Sequence, residues 1–248
     1  MQDQNLDATK TEIEKVWDEY ATAGYKNLYK MDVFKKITDY YEQLFIPING
    51  VVLDGGCGPG SLFNFIIKGM KPKKIVAADL SDKMLNQAKK TAEEINKNNK
   101  NNIIFEFRKF NLLEKFPWAD NTFDSSIFGI SICYLPKDGW KKAVKEAFRT
   151  VKSGGYIYIS TFIDKWDFPR EVKKHTISEF FKSPWGCLWG LKLKKYPMLV
   201  SELIKDGESG VYPPIEEFIQ FQKEQGAIDI VQKRIFFGAG VLTRAKKA

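Results

Sequence analysis

Residues 51–60 read VVLDGGCGPG: an apolar run, an acid, then four glycines within six positions around a cysteine and a proline. An apolar run that breaks into glycines is how a strand turns into a helix in an α/β unit, and the missing Cβ atoms let backbone come close to a ligand. A phosphate, a dinucleotide and a sulfonium nucleoside could each occupy such a turn. The dinucleotide pattern G-x-G-x-x-G fails here, because counting from Gly56 puts Ser61 at the third glycine site and counting from Gly58 puts Phe63 there. A phosphate-cradling loop would end Gly-Lys-Ser/Thr, and Gly60 is followed by Ser61 and Leu62.

What remains is G-x-G-x-G at Gly56, Gly58 and Gly60, with Asp54 in front and Asp79 closing the next apolar run, 19 residues beyond Gly60. A carboxylate at Asp79 can accept from both hydroxyls of a ribose, while the glycines clear the path to the sheet edge. An acid beside the loop suits a cationic cofactor better than a pyrophosphate. The stretch therefore points to S-adenosyl-L-methionine.

Outward from this turn, short apolar runs alternate with helical periods, the pattern of a parallel sheet covered by helices. Strands are expected at 50–54, 74–79, 103–108, 124–130 and 155–162, with helices near 60–69, 82–96 and 139–151; the second buries Leu85, Ala88, Ala92 and Ile95. Thr9 and Glu12 form a capping-box pattern ahead of Ile13, Val16, Trp17 and Tyr20, and Phe34, Ile37, Tyr41 and Leu44 mark a second helix that stops before Pro47. Residues 163–214 are interrupted by prolines and carry Trp166, Trp185 and Trp189; a structureless loop of that length would be unusual, so a helical insertion or lid is expected. A helix at 215–225 and two antiparallel strands at 228–237 and 241–245 complete the chain.

Composition narrows the function classes. At 248 residues one α/β domain with appendages fits. Three widely spaced cysteines, Cys57, Cys133 and Cys187, suit reduced thiols, and a single histidine without a CxxC pair argues against zinc; no metal is expected. The polar start MQDQNLDATK lacks the features of a secretory signal, and no apolar run nears the ~20 residues of a membrane span, so a cytoplasmic protein is expected, with peripheral membrane contact left open. The net charge of +8 comes from lysines spread over predicted polar helix faces, which reads as a solvated surface and not a nucleic-acid groove.

VLDGGCGPG, AADLSDKML, FNLLEKFPWADNTFD (110–124) and AVKEAFRTVKSGGYIYIST (143–161) together resemble the four successive motifs of class I S-adenosylmethionine-dependent methyltransferases. The likeness is greatest to the small-molecule branch that includes the ubiquinone and menaquinone biosynthesis enzymes. It covers 45–162 well and the C-terminal hairpin loosely. The resemblance implies a doubly wound, seven-stranded, mostly parallel Rossmann-like α/β sheet with its last strand antiparallel. Helices at 1–46 would cover the cofactor, 47–162 would form the cofactor-binding core, 163–214 a substrate lid, and 215–248 the closing helix and hairpin.

Carried over residue by residue, the resemblance implies that Asp54, with Gly55, Gly56, Gly58 and Gly60, holds the amino acid end of the cofactor. Asp79 would take the ribose, Leu80, Met84 and Leu112 would flank the nucleoside, and Asn111 would stand where the family usually has an aspartate for the adenine amino group. Phe128 and Gly129 would pass beneath the sulfonium, and Tyr25 would close over it. Tyr134, His175 and Asp164 are the candidate general bases, should the acceptor need one.

Cys133 could in principle be a nucleophile, but Ile132 replaces the proline expected before such a cysteine, so a buried structural role is the better reading. FGISICYLP also lacks the Asn/Asp-Pro-Pro-Tyr/Phe sequence of enzymes that methylate base amines. A small-molecule acceptor is therefore expected, apolar, aromatic or a cationic amine, with the aromatic insertion as its pocket. An RNA or protein methyltransferase, and a non-catalytic S-adenosylmethionine-binding regulator, stay open as alternatives.

Overall fold

The structure is a computed structural model that describes residues 14–22, 32–98, 103–135, 138–163, 213–238 and 240–248. Tyr25, Asp164, His175 and nearly all of the expected lid lie outside the described residues. Helix α1 covers 14–22, α2 Asp32–Leu44, α3 Phe63–Met70, α4 Asp82–Asn98, α5 Gly139–Thr150 and α6 Ile215–Glu224. The strands are β1 Val51–Gly55, β2 Lys74–Asp79, β3 Ile104–Lys109, β4 Phe123–Gly129, β5 Val151–Phe162, β6 Ala227–Ile235 and β7 Gly240–Lys247.

These strands form one seven-stranded sheet in the order β3-β2-β1-β4-β5-β7-β6. Neighbours from β3 through β5 run parallel, and β7 is antiparallel to both β5 and β6. The order reverses between β1 and β4, and in doubly wound sheets a ligand sits outside the carboxyl ends of the strands at that reversal. Gly55 and Gly129, the last residues of β1 and β4, flank it.

Each face of the sheet has its own core. Under α2, α3 and α4, Tyr41, Phe63, Ile66 and Ile75 pack with Ile127 and Tyr158; under α5 and α6, Phe116, Phe128, Trp140 and Phe218 pack with Leu53 and Ile157. Two parallel strands of VVL and IVAA type are buried on both sides, which is why they read as unbroken apolar runs.

Three boundaries differ from expectation. Helix α3 begins at Phe63 and not residue 60, because Gly60 sits at φ +79° and residues 57–62 are spent on the turn. The strand expected from residue 155 begins at Val151, directly after α5, since Ser153-Gly154-Gly155 carries an irregularity in the pairing of β4 with β5 and does not end the strand. Gly154, at φ +77°, makes that kink. Strand β7 extends beyond its expected ends, whereas β6 starts at Ala227 and stops at Ile235, where Phe236–Gly238 turns into the hairpin loop.

Candidate active site

In register, Gly55 pairs with Ala78, so Asp79 stands one step beyond the end of β1, where the glycine loop turns away. The Gly56 and Cys57 N–H groups both donate to the Ala78 carbonyl, at 2.7 and 3.0 Å. Asp79 ties this loop to the start of α4: Oδ2 accepts from Gly58 N–H at 2.8 Å and Oδ1 from Ser81 N–H at 2.9 Å. A carboxylate has about four acceptor positions, so these bonds leave it capacity for a ligand's hydroxyl. Ser81 is the N-cap of α4, its Oγ accepting from Met84 N–H at 3.0 Å, which leaves Asp79 to the loop.

Gly56, Gly58 and Gly60 all adopt positive φ, at +74°, +53° and +79°. At Gly56 the constraint is double, since an added Cβ would lie 2.4 Å from Cβ of Ser131, whose hydroxyl donates to the Gly55 carbonyl at 3.0 Å. Ser131 thus ties the carboxyl end of β1 to the turn after β4. It was not among the sequence candidates.

Asp54 is 1% exposed, and its Oδ2 has no hydrogen-bond partner. Burial, with the Asp79 charge adding to it, pushes its carboxyl up to about 8. Asp79 is pushed up to about 6, mainly by burial, against the N–H groups of Ser81, Gly58 and Leu80 that favour its charge. The Cys57 thiol is raised by burial and by the same two acids, so it is an inert part of the loop. A buried carboxyl with one orphaned oxygen, beside a half-buried one, is complementary to a cation.

Helix α1 docks on this mouth. Asp18 accepts from the Ser81 hydroxyl at 2.5 Å and from Lys83 N–H at 3.3 Å, Gln87 donates to the Ala21 carbonyl at 2.8 Å, and Lys109 bridges Glu14 and Asp82. Trp17 meets Tyr134 edge-on, with ring centroids 4.9 Å apart. Tyr134 is half-buried in the turn Ile132–Tyr134 just past β4, so the candidate base and α1 close on one another.

Other sequence candidates take defined places. Leu80 is half-buried beside Asp79, whereas Met84 is only 2% exposed in the first turn of α4. Asn111 Oδ1 accepts from Leu113 N–H at 3.0 Å, shaping the turn that carries Leu112 against the loop; a second lone pair on that oxygen is available to an amino group. Phe128 is buried, and its ring lies where a Gly55 side chain would go, so it shapes the loop from below and does not face the cleft. At Gly129 the space a side chain would take is filled by Leu62, 2.5 Å from a built Cβ, with the Tyr41 hydroxyl at 3.5 Å. Cys133 is half-buried, and burial pushes its thiol up to about 12, which fits a structural residue. Among the described residues no cluster of three or more His, Cys, Asp or Glu could hold a metal, and no helix is long and apolar enough to cross a membrane.

Strand order, glycine loop and paired acids define a class I methyltransferase domain. Residues 52–155 match the family model described as a methyltransferase domain, and the chain resembles ubiquinone biosynthesis methyltransferases. It is 27% identical over 221 residues to the mitochondrial 2-methoxy-6-polyprenyl-1,4-benzoquinol methylase of Caenorhabditis elegans, covering 88% of this chain and 72% of that one. A ubiquinone/menaquinone biosynthesis C-methyltransferase of Rickettsia prowazekii is 24% identical over 213 residues, covering 81% and 77%. A methyltransferase of Aspergillus luteorubrus is 33% identical over 131 residues, and there the chain spans only 45% of its relative's length.

Solved structures agree on the fold. An S-adenosylmethionine-dependent methyltransferase of Aquifex aeolicus superposes with a TM-score of 0.54 at 17% identity, covering 96% of this chain and 98% of that one. One from Thermotoga maritima gives 0.58 at 17% identity, covering 95% and 100%.

Proposed function

We propose that this protein transfers a methyl group from S-adenosylmethionine to a small hydroxylated aromatic acceptor of the hydroquinone type. The observation that carries the cofactor assignment is the buried, unpartnered Asp54 oxygen beside Asp79 at a positive-φ glycine loop. An ammonium or sulfonium group is the ligand chemistry that such a pair of acids lacks. Asp54 and the loop backbone from Gly55 to Gly60 would hold the amino acid end, Asp79 the ribose, and Leu80, Asn111 and Leu112 the base. S-adenosylmethionine, when bound, supplies a methyl group already activated on sulfur.

The chain's own task is then to align the acceptor and keep water out. Leu62 packs against Gly129 at the carboxyl end of β4, and Trp17 meets Tyr134 in the turn just past it. Tyr134 is the candidate for removing the acceptor's proton; His175 and Asp164, outside the described residues, stay proposals for the same task, and Tyr25, also outside them, for closing over the cofactor. The hydroquinone class is drawn from the two relatives that cover more than two thirds of their own length, both C-methylating or benzoquinol enzymes by name.

Calorimetry with S-adenosylhomocysteine tests the cofactor site. Saturable binding in the wild type and its loss in Asp79→Ala is the expected result, and unchanged binding in that variant would defeat the assignment. Transfer of labelled methyl from S-adenosylmethionine to a short-chain 2-methoxy-1,4-hydroquinone tests the acceptor.

A further inference from the structure

Helix α1 meets the start of α4 along one stripe of its surface. Glu14, Asp18 and Ala21 follow one another at the i, i+4, i+7 spacing that puts residues on one helical face. Glu14 reaches Asp82 through Lys109, Asp18 takes the Ser81 hydroxyl and the Lys83 N–H, and the Ala21 carbonyl takes Gln87. Lys109 is exposed, so its bridges add little. Asp18 is half-buried and Ser81 wholly buried, and a buried hydroxyl left without a partner is costly.

Ser81 uses each of its polar groups. Its N–H donates to Asp79 Oδ1 at 2.9 Å, its Oγ accepts from Met84 N–H at 3.0 Å, and its hydroxyl proton goes to Asp18 Oδ1 at 2.5 Å. A carboxylate only accepts, which fixes the direction of that last bond. Asp18, Ser81 and Asp79 thus form a line from α1 to the acid that would hold the ribose. Burial is the main cause of the raised Asp79 carboxyl, and the charge of Asp18 adds to it. Asp18 therefore opposes the charge of Asp79 while ordering its surroundings, two effects that substitution can separate.

Resting on the reading of Asp79 as the ribose acid, we propose that Asp18 is a positioning residue: acting through Ser81, it fixes the Asp79 carboxylate for the ribose and so sets the preference for ribose over deoxyribose. The carboxylate is pinned at both ends, with Gly58 N–H on Oδ2 from the loop and Ser81 N–H on Oδ1 from the α4 side. Without Asp18 the Ser81 proton is buried and unpaired. Ser81 then shifts to satisfy it, the cap of α4 loosens, and Oδ1 loses its pin while Oδ2 keeps the loop.

The probes are S-adenosylhomocysteine and its 2′-deoxy analogue, titrated calorimetrically into wild type and variants. Wild type should bind the ribose compound at least about tenfold tighter, the worth of a hydrogen bond to a charged group. In Asp18→Ala that ratio should fall to about threefold or less, whereas Asp18→Asn, whose side-chain oxygen still accepts from Ser81, should retain most of it. Ser81→Ala should reproduce the Asp18→Ala ratio, and combining the two should lower it no further, because they act in one line. If Asp18 only packs α1 onto α4, both compounds weaken equally in Asp18→Ala and the ratio stays at its wild-type value; that result overturns the proposal and leaves the methyltransferase reading standing. A ratio as low in Asp18→Asn as in Asp18→Ala places the effect in charge and not in position, and overturns it too. A wild type that binds S-adenosylhomocysteine without preferring ribose overturns it together with the ribose role of Asp79. A wild type that does not bind S-adenosylhomocysteine refutes the methyltransferase reading itself.

Discussion

Asp54 offers the sharpest test of the cofactor site. In the free protein its carboxyl titrates near 8, so it is largely protonated at pH 6. A cationic ligand needs the carboxylate. If bound ligand pulls that value well below 6, about 99% of the free protein at pH 6 is in the wrong protonation state, and affinity there is roughly 100-fold weaker than at the alkaline plateau, or about 2.7 kcal/mol. At pH 7 the deficit is about tenfold. Asp79, titrating near 6, steepens the fall below that point.

Calorimetric titration with S-adenosylhomocysteine between pH 5.5 and 8.5 should therefore show the dissociation constant rising about fivefold from pH 8 to 7 and about ninefold from pH 7 to 6. Repeating the titration at pH 7 in buffers of different ionisation enthalpy should show release of about one proton per ligand bound. Asp54→Asn should abolish both the slope between 6 and 8 and the proton release. A flat wild-type profile over that range, or a slope that survives in Asp54→Asn, refutes the idea that this buried acid receives the cation. The stability of the ligand-free fold moves the other way. A raised carboxyl means that the native state keeps a proton the unfolded chain has lost, so stability falls as pH rises from about 4 to about 8. The difference in Tm between pH 5 and pH 8 should shrink in Asp54→Asn.

Gly56→Ala places a side chain at φ +74° and 2.4 Å from Ser131, so left-handed strain of about 1–2 kcal/mol adds to a clash. A Tm at least 4 °C lower, at about 2–4 °C per kcal/mol, is expected by calorimetry, with loss of S-adenosylhomocysteine binding. Arg149→Met removes a guanidinium that meets Glu146 at 2.6 and 2.9 Å and caps the Trp118 and Phe116 carbonyls at 2.9 and 3.0 Å. The cost should be about 2 kcal/mol with the exposed Asp120 arm discounted, read as a Tm lower by roughly 4–8 °C, with faster amide exchange in the turn after Asn111. Asp18→Asn weakens the charge-assisted bond to Ser81, and amide exchange over residues 14–22 should quicken about tenfold while the rest of the sheet keeps its protection.

Much of this architecture is legible along the chain because it is local. VVLDG and KIVAAD are buried on both faces, so their apolar runs are continuous, and Gly56, Gly58 and Gly60 suit the positive φ they adopt. Ser81 can be read as the cap of α4 from its spacing to Met84. The start of β5 is less legible, since Ser-Gly-Gly resembles a break and is here an irregularity within a strand. Asp18 gives no signal at all. In EIEKVWDEY it looks like one acid on a solvated helix face, and only the fold brings it 63 positions along the chain to Ser81. Tyr41 and Ser160 are 119 positions apart, and Tyr41 reads simply as one apolar-face position of α2. Phe128 shows the reverse case: its place at the end of β4 is legible, but whether its ring faces the cleft or the core depends on register with Gly55.

The two sides of the strand-order reversal differ in chemistry. On the β1–β2 side burial raises Asp54 and Asp79, with the charge of Asp79 adding at the first and that of Asp18 at the second, an arrangement that costs stability until a cation arrives. On the β4–β5 side the Tyr41 and Ser160 hydroxyls meet at 2.7 Å among buried side chains. Gly129, at the end of β4, stands at the border between the two sides, with Leu62 packed against it. A bulky residue at position 129 would fill that border without touching Asp54 or Asp79. Gly129→Val should therefore keep S-adenosylhomocysteine binding and its pH slope while methyl transfer to the hydroquinone falls by at least tenfold, the penalty of misplacing reacting atoms by about an ångström. Equal loss of both would mean that the border does not divide two sites but belongs to one.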